Sequence, residues 1–153
     1  MSKKCCFICR RLQLLEFTEN SRICKNLKKS IKKEIASLIE NENVTHFISG
    51  MELGFETYMA EIVLELKEKY DIILECALPC ETQANNWCEK DRDKYFSIIE
   101  KCDKFTLLQT HYTRDCVIKK NRYMINNSDF VITVSNDEKC EIISAASDAI
   151  GVL

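Results

Sequence analysis

The sequence predicts an α/β fold: a parallel sheet of about five strands with helices on both faces. Three observations predict it. Short apolar runs of strand length alternate with segments whose apolar residues recur at helical spacing. No two runs are joined by a hairpin signal, so the strands read as linked through helices. Several runs are apolar throughout, as strands buried on both faces require.

The first run, Cys5-Cys6-Phe7-Ile8, suits a buried strand and opens into Cys9-Arg10-Arg11. Asn20 or Ser21 is placed to cap the first helix. Its inner face is Leu27, Ile31, Ile35, Leu38 and Ile39, and Lys25, Lys28, Lys29, Lys32 and Lys33 fall on the other faces as a solvated run. Asn41-Glu42-Asn43 ends that helix, and Val44 to Ser49 forms the second strand, with His46 read as structural. Ser49-Gly50-Met51-Glu52-Leu53-Gly54 then turns tightly into a helix whose inward positions are Met59, Ile62, Val63 and Leu66. Two of the chain's three glycines stand in this turn. A strand entering a helix this way presents free N–H groups to an anion, although the turn alone also fits a plain strand–helix connection.

Ile72 to Leu78 is the third strand and stops at Pro79, the sole proline. Thr82 is the expected cap of a third helix carrying Trp87, Tyr95, Ile98, Ile99 and Cys102. Phe105 to Leu108 forms the fourth strand, and Asp115 to Asn127 the fourth helix, with Val117, Ile118, Met124 and Ile125 as its apolar residues. Phe130 to Val134 is a fifth strand, Ser135-Asn136-Asp137 a turn, and Glu138 to Ala149 a last helix.

Composition narrows the function classes. The 153 residues read as one domain, 46% hydrophobic and 30% charged. A formal net charge of −2 gives no bulk attraction to nucleic acid or to an anionic membrane. No apolar run reaches the ~20 residues of a spanning helix. Met1-Ser2-Lys3-Lys4 leads into no cleavage pattern, and most of the ten cysteines lie within apolar or helical segments, so the chain reads as reduced and cytoplasmic. Cys6-x-x-Cys9 lacks a second pair that would complete a zinc set, so neither a metal nor a cofactor is expected.

In such sheets ligands bind beyond the carboxyl ends of the strands. The loops expected there are residues 9–11, 49–54, 79–83, 109–115 and 135–139. The candidate ligand-binding residues are Cys9, Arg10, Arg11, Ser49, Gly50, Met51, Gly54, Glu56, Pro79, Cys80, Arg114, Lys120, Ser135 and Asn136.

Several stretches taken in order resemble one family. They are Phe47-Ile48-Ser49-Gly50-Met51-x-Leu53-Gly54 with Ala60-Glu61-Ile62-Val63-Leu64, then Pro79-Cys80-Glu81-x-Gln83 with Trp87. Tyr112-Thr113-x-x-Cys116, Lys120-Asn121-Arg122-Tyr123-Met124 and Ser128-Asp129 complete the set. Together they resemble the YpsA-like branch of the SLOG superfamily, to which the LOG nucleotide phosphoribohydrolases and the DNA-processing protein DprA also belong. The resemblance implies a Rossmann-like fold whose crevice holds a nucleotide or a nucleotide-derived ligand.

The sequence departs from that pattern in four places. The family's Thr-Gly-His-Arg-Pro loop is here Ile8-Cys9-Arg10-Arg11-Leu12. The family's second-loop aspartate is Glu56. The phosphate-cradling Gly-Gly-Thr loop is Asn136-Asp137-Glu138-Lys139-Cys140-Glu141. The family's final strand is missing from the expected layout.

The resulting expectation is a small-molecule binder without turnover that senses or sequesters a nucleotide signal, and that self-associates. Three alternatives stand beside it. In a LOG-type hydrolase, Lys120 would replace the family arginine, with Glu138 or Glu141 near the family glutamate. A cysteine nucleophile would draw on Cys9, Cys80 or Cys116 with His111. A degenerate member would act through protein contacts at an open sheet edge.

Overall fold

A computed structural model of the chain describes residues 2–8, 22–134 and 140–144. In chain order its elements are β1 (Lys3–Phe7), α1 (Arg22–Glu42), β2 (Val44–Ser49), α2 (Phe55–Leu66), β3 (Ile73–Leu78), α3 (Glu89–Lys101), β4 (Lys104–Leu107), α4 (Cys116–Asn126), β5 (Phe130–Val134) and β6 (Cys140–Ser144). The strands form one sheet in the order β4-β3-β2-β1-β5-β6. β1 to β5 are mutually parallel, and β6 runs antiparallel to β5. The chain walks outward from β1 to β4, then crosses back to place β5 on the other side of β1. This reversal between β1 and β5 is the topological switch point of the sheet.

Strand residues alternate between two cores. Phe7, Phe47, Leu74 and Ile132 face one side, where Ile31 and Ile35 of α1, Met59 and Val63 of α2, and Tyr95 and Ile98 of α3 cover them. Cys6, Ile48, Ala77 and Val131 face the other, under Met124 and Ile125 of α4. The all-apolar character of β1 follows, since each of its central residues meets a different helical layer. α1 ends where Asn43 takes a left-handed conformation (φ 56°), and the Asn43 carbonyl accepts from Lys3 N–H at 3.0 Å, binding the helix exit to the first strand. At the start of β5, Asp129 N–H donates to the Lys4 carbonyl at 2.7 Å and its carboxylate accepts from Lys4 N–H at 2.9 Å.

The structure corrects two expected elements. Residues 140–144, assigned to a final helix, form β6, in which Ile142 stands opposite Ile132 and Ile143 opposite Val131. The β-branched pair fits a pleated surface, and pairing with β5 overrides the local helical spacing. The rest of that expected helix lies outside the described residues. Thr82 does not cap α3: residues 81–87 are turns, with Asn85 N–H bonded to the Thr82 carbonyl, and the helix begins at Glu89 after Cys88. Trp87 therefore precedes the helix and packs edge-on against Tyr95 at a centroid distance of 5.2 Å.

Candidate functional site at the carboxyl edge of the sheet

The turn between β2 and α2 is held by its own polar atoms. Ser49 Oγ donates to the Glu56 carbonyl at 2.7 Å and accepts from Met51 N–H at 3.2 Å. Met51 adopts φ 60° with its side chain fully buried, an uncommon conformation for a non-glycine residue, and Gly54 adopts φ 93° as the residue before the helix. Thr57 Oγ1 donates to the Gly54 carbonyl at 2.9 Å.

Gly50 is required for space. A Cβ there would lie 2.3 Å from Glu56 Oε1 and 2.6 Å from both Cδ and Cε of Lys120. The backbone thus rests directly on a buried ion pair. Lys120 Nζ donates to Glu56 Oε1 at 3.2 Å and lies 3.4 Å from Glu52 Oε1. Lys120 and Glu56 are both 0% exposed, whereas Glu52 is partly open to solvent. Burial pushes the Glu56 carboxyl up to about 8, with the Lys120 charge pulling against the rise and Glu52 adding to it. Two carboxyls around one ammonium leave the cluster without spare positive charge.

Two further loops are tied to this turn. Gln83 Nε2 donates to the Gly50 carbonyl at 2.9 Å, and Tyr95 donates its hydroxyl to Gln83 Oε1 at 3.1 Å. Glu81 N–H donates to the Thr110 carbonyl at 3.1 Å. The loops after β2, β3 and β4 therefore form one hydrogen-bonded rim. Of the residues expected in the site, Ser49, Gly50, Met51, Gly54, Glu56 and Lys120 come together in the turn or on its buried pair. Pro79 and Cys80 are buried in the neighbouring loop, and Arg114 is exposed just before α4. Cys9, Arg10, Arg11, Ser135 and Asn136 lie outside the described residues.

The alternative chemistries fare differently. The Cys80 thiol faces Thr82 Oγ1 at 3.6 Å and is buried, as is Cys116, while His111 is exposed. Glu141 lies exposed on β6 opposite Thr133, and Glu138 is outside the described residues. A surface groove of about 500 Å³ lined by Lys29, Lys32, Lys33 and Tyr70 lies between α1 and the far end of α2. α2 begins at the carboxyl edge of β2, so this groove is at the opposite end of the sheet. Its lysines are partly neutralised, Lys32 pairing with Glu65 at 3.0 Å.

Sequence reasoning missed Glu52, although it stands within the glycine turn. It also missed a second buried carboxyl on the α4 side of the sheet. Glu75 accepts from Tyr123 (2.5 Å) and Thr106 (2.9 Å) through Oε2, and its Oε1 lies 2.8 Å from His46 Nε2. Burial works against its charge, but these hydrogen bonds and the Lys104 ammonium outweigh it and hold the carboxyl down at about 2. His46, read as structural from the sequence, is thus the hydrogen-bond partner of this buried carboxyl.

The family model YpsA, described as the YspA SLOG family, matches residues 9–148. The chain belongs to this SLOG family. Among the relatives of this YpsA-family chain are UPF0398 proteins of three bacteria. That of Brevibacillus brevis is 32% identical over 125 residues, covering 80% of this chain and 66% of the relative. That of Halalkalibacterium halodurans is 31% identical over 126 residues, with the same coverage. That of Lactobacillus acidophilus is 28% identical over 127 residues, covering 82% of this chain and 68% of the relative. The chain thus spans just under two thirds of the first two relatives. Among the described residues, no helix is long and apolar enough to cross a membrane.

Proposed function

We propose that this YpsA-family chain binds a nucleotide or nucleotide-derived small molecule at the carboxyl edge of its sheet and does not turn it over. The carrying observation is the buried Glu56–Lys120 pair beneath Gly50. Burying two charges carries a desolvation cost that packed apolar side chains would avoid, and such pairs cluster at functional sites. This one lies where open α/β sheets bind ligands. Gly50 and Gly54 bring backbone to the rim, and Glu52 offers a half-exposed acceptor suited to ribose hydroxyls. Phosphate would be held by the arginines that the sequence places at this edge, Arg114 among them, because Lys120 is already neutralised.

The absence of turnover follows from the same pair. A lysine enclosed by two carboxyls does not supply the free positive charge that departure of a base or phosphate requires. The test is incubation with AMP, ADP-ribose and cyclic nucleotides, followed by melting temperature and chromatography of the products. Stabilisation without product supports the proposal, and release of free base overturns it.

One observation favours the hydrolase reading: burial shifts the Glu56 carboxyl toward the protonated form that a general acid for an N-glycosidic bond needs. The same chromatography decides between the two. The protein-contact reading draws on β4, which ends the sheet and leaves Phe105 60% exposed, with Phe96 58% exposed on α3. Self-association at this edge belongs to our proposal, and light scattering of wild type against Phe105→Glu tests it.

A further inference from the structure

Three buried side-chain oxygens have no hydrogen-bond partner among the described residues: Asn121 Oδ1, Ser128 Oγ and Thr133 Oγ1. A buried polar atom left unpaired is costly, so each of these calls for a partner from elsewhere. Thr133 is 0% exposed and stands one residue before the end of β5, at the carboxyl edge. Strand register fixes its place there. Ser49, Phe7 and Ile132 are aligned across β2, β1 and β5. One step further on are Gly50, Ile8 and Thr133, and the Ile8 N–H still donates to the Ile132 carbonyl at 3.1 Å. Thr133 is thus level with Gly50 and two strand spacings from it, about 10 Å, across the switch point. It faces the α4 layer, as Val131 two residues earlier does.

Two acceptors stand at the same level. Glu141 is paired with Thr133 across the β5–β6 ladder, so their side chains share a face, and Glu141 is exposed. Asn121 is one helical turn from Ile125, which shares the α4-side core with Val131. α4 runs from the carboxyl edge toward the amino edge. A turn back from Ile125, about 6 Å, therefore matches two residues forward from Val131, about 7 Å. Ser128 precedes β5 at the other end of the sheet and has no place in this group.

We propose that Thr133 reads the base of the bound nucleotide by accepting from an exocyclic amino group, with Asn121 Oδ1 and Glu141 as flanking acceptors. This rests on the binding proposal above, which sets the sugar beside Gly50 and Glu52. A base extending from there across β1 arrives at Thr133. A carboxylate and an amide oxygen only accept, so the group they receive is a donor, and an amino group brings two N–H bonds. A base carbonyl in the same place would face those acceptors with its own lone pairs.

Calorimetric titration with AMP and with IMP, which has a carbonyl where AMP has the amino group, tests this in wild type, Thr133→Val and Thr133→Ser. Wild type should bind AMP about tenfold more tightly than IMP or better. Thr133→Val should lose most of that preference, and Thr133→Ser, which keeps the hydroxyl, should retain it. Without ligand, Thr133→Val should melt higher than wild type, because it removes an unpaired buried hydroxyl. Equal binding of AMP and IMP by wild type, a preference that survives in Thr133→Val, or a lower melting temperature of that variant would each overturn the inference. The first of these outcomes needs no variant. Binding of both nucleotides alike removes only the base-reading role of Thr133, whereas binding of neither removes the binding proposal and this inference together.

Discussion

Lys120 of α4 and Glu56 of α2 meet 3.2 Å apart, out of contact with solvent, although their helices cover opposite faces of the sheet. The pair closes over the carboxyl edge and joins the two helical layers beneath the Gly50 backbone. A lone charge at this depth has no compensation.

Removing the ammonium is therefore expected to cost more than replacing both partners. Lys120→Met leaves the buried Glu56 carboxyl and Glu52 without a counter-charge, and should lower stability by about 3–5 kcal/mol, whereas Glu56→Gln, a neutral stand-in for the protonated carboxyl, should change it by less than about 1 kcal/mol at neutral pH. The double variant Glu56→Gln/Lys120→Met should recover a large part of that loss. Urea unfolding of the two single variants and the double variant measures it as a coupling energy.

Gly50→Ala should destabilise by about 1–3 kcal/mol, because the added methyl overlaps Glu56 Oε1 and the Lys120 stem, both fixed in a packed site. Gly54→Ala should also destabilise, by about 1 kcal/mol or more, for a different reason: φ 93° strains any residue with a Cβ. The two are separable in second-site variants. Shortening position 120 relieves the first and leaves the second unchanged.

The raised Glu56 carboxyl predicts a pH slope. Its folded value of about 8 lies above the ordinary 4.5, so the native state retains a proton that the unfolded chain releases across that interval. Stability from this group is full below about pH 4.5 and falls as pH rises toward 8. Melting temperature followed from pH 5 to pH 8.5 should show this decline, and Glu56→Gln should flatten it.

Glu75 predicts the opposite limb. Its folded value of about 2 lies below 4.5, so its contribution is present above pH 4.5 and lost as pH falls toward 2. Glu75→Gln should flatten the acid limb of the same titration. Tyr123→Phe, which removes the 2.5 Å donor, should lower stability by about 1–2 kcal/mol at neutral pH.

The elements most legible in the sequence were those specified locally. Val44 to Ser49 and Phe130 to Val134 are strands with the expected bounds, because uninterrupted apolar runs between turn residues admit little else. The glycine turn was legible for the same reason. β6 was not: Cys140 to Ser144 is a strand because β5 offers it partners, and nothing within five residues reports that pairing. Lys120 could be placed near the edge from its position in α4, but its neutralisation by Glu52 and Glu56 is a tertiary fact. The Glu75 site was hidden more deeply still, since its ligands come from β2, β4 and α4, and each looks ordinary in its own segment.

The central claim is that a nucleotide-derived molecule binds at the rim built on Gly50. Amide chemical-shift mapping of the ¹⁵N-labelled protein during titration with AMP and ADP-ribose tests it most directly. The account predicts saturable shifts centred on residues 49–55 and 80–83, with the ligand's own resonances unchanged in identity over hours. Shifts confined to the lysine groove between α1 and α2, or no shifts at millimolar ligand, would contradict it.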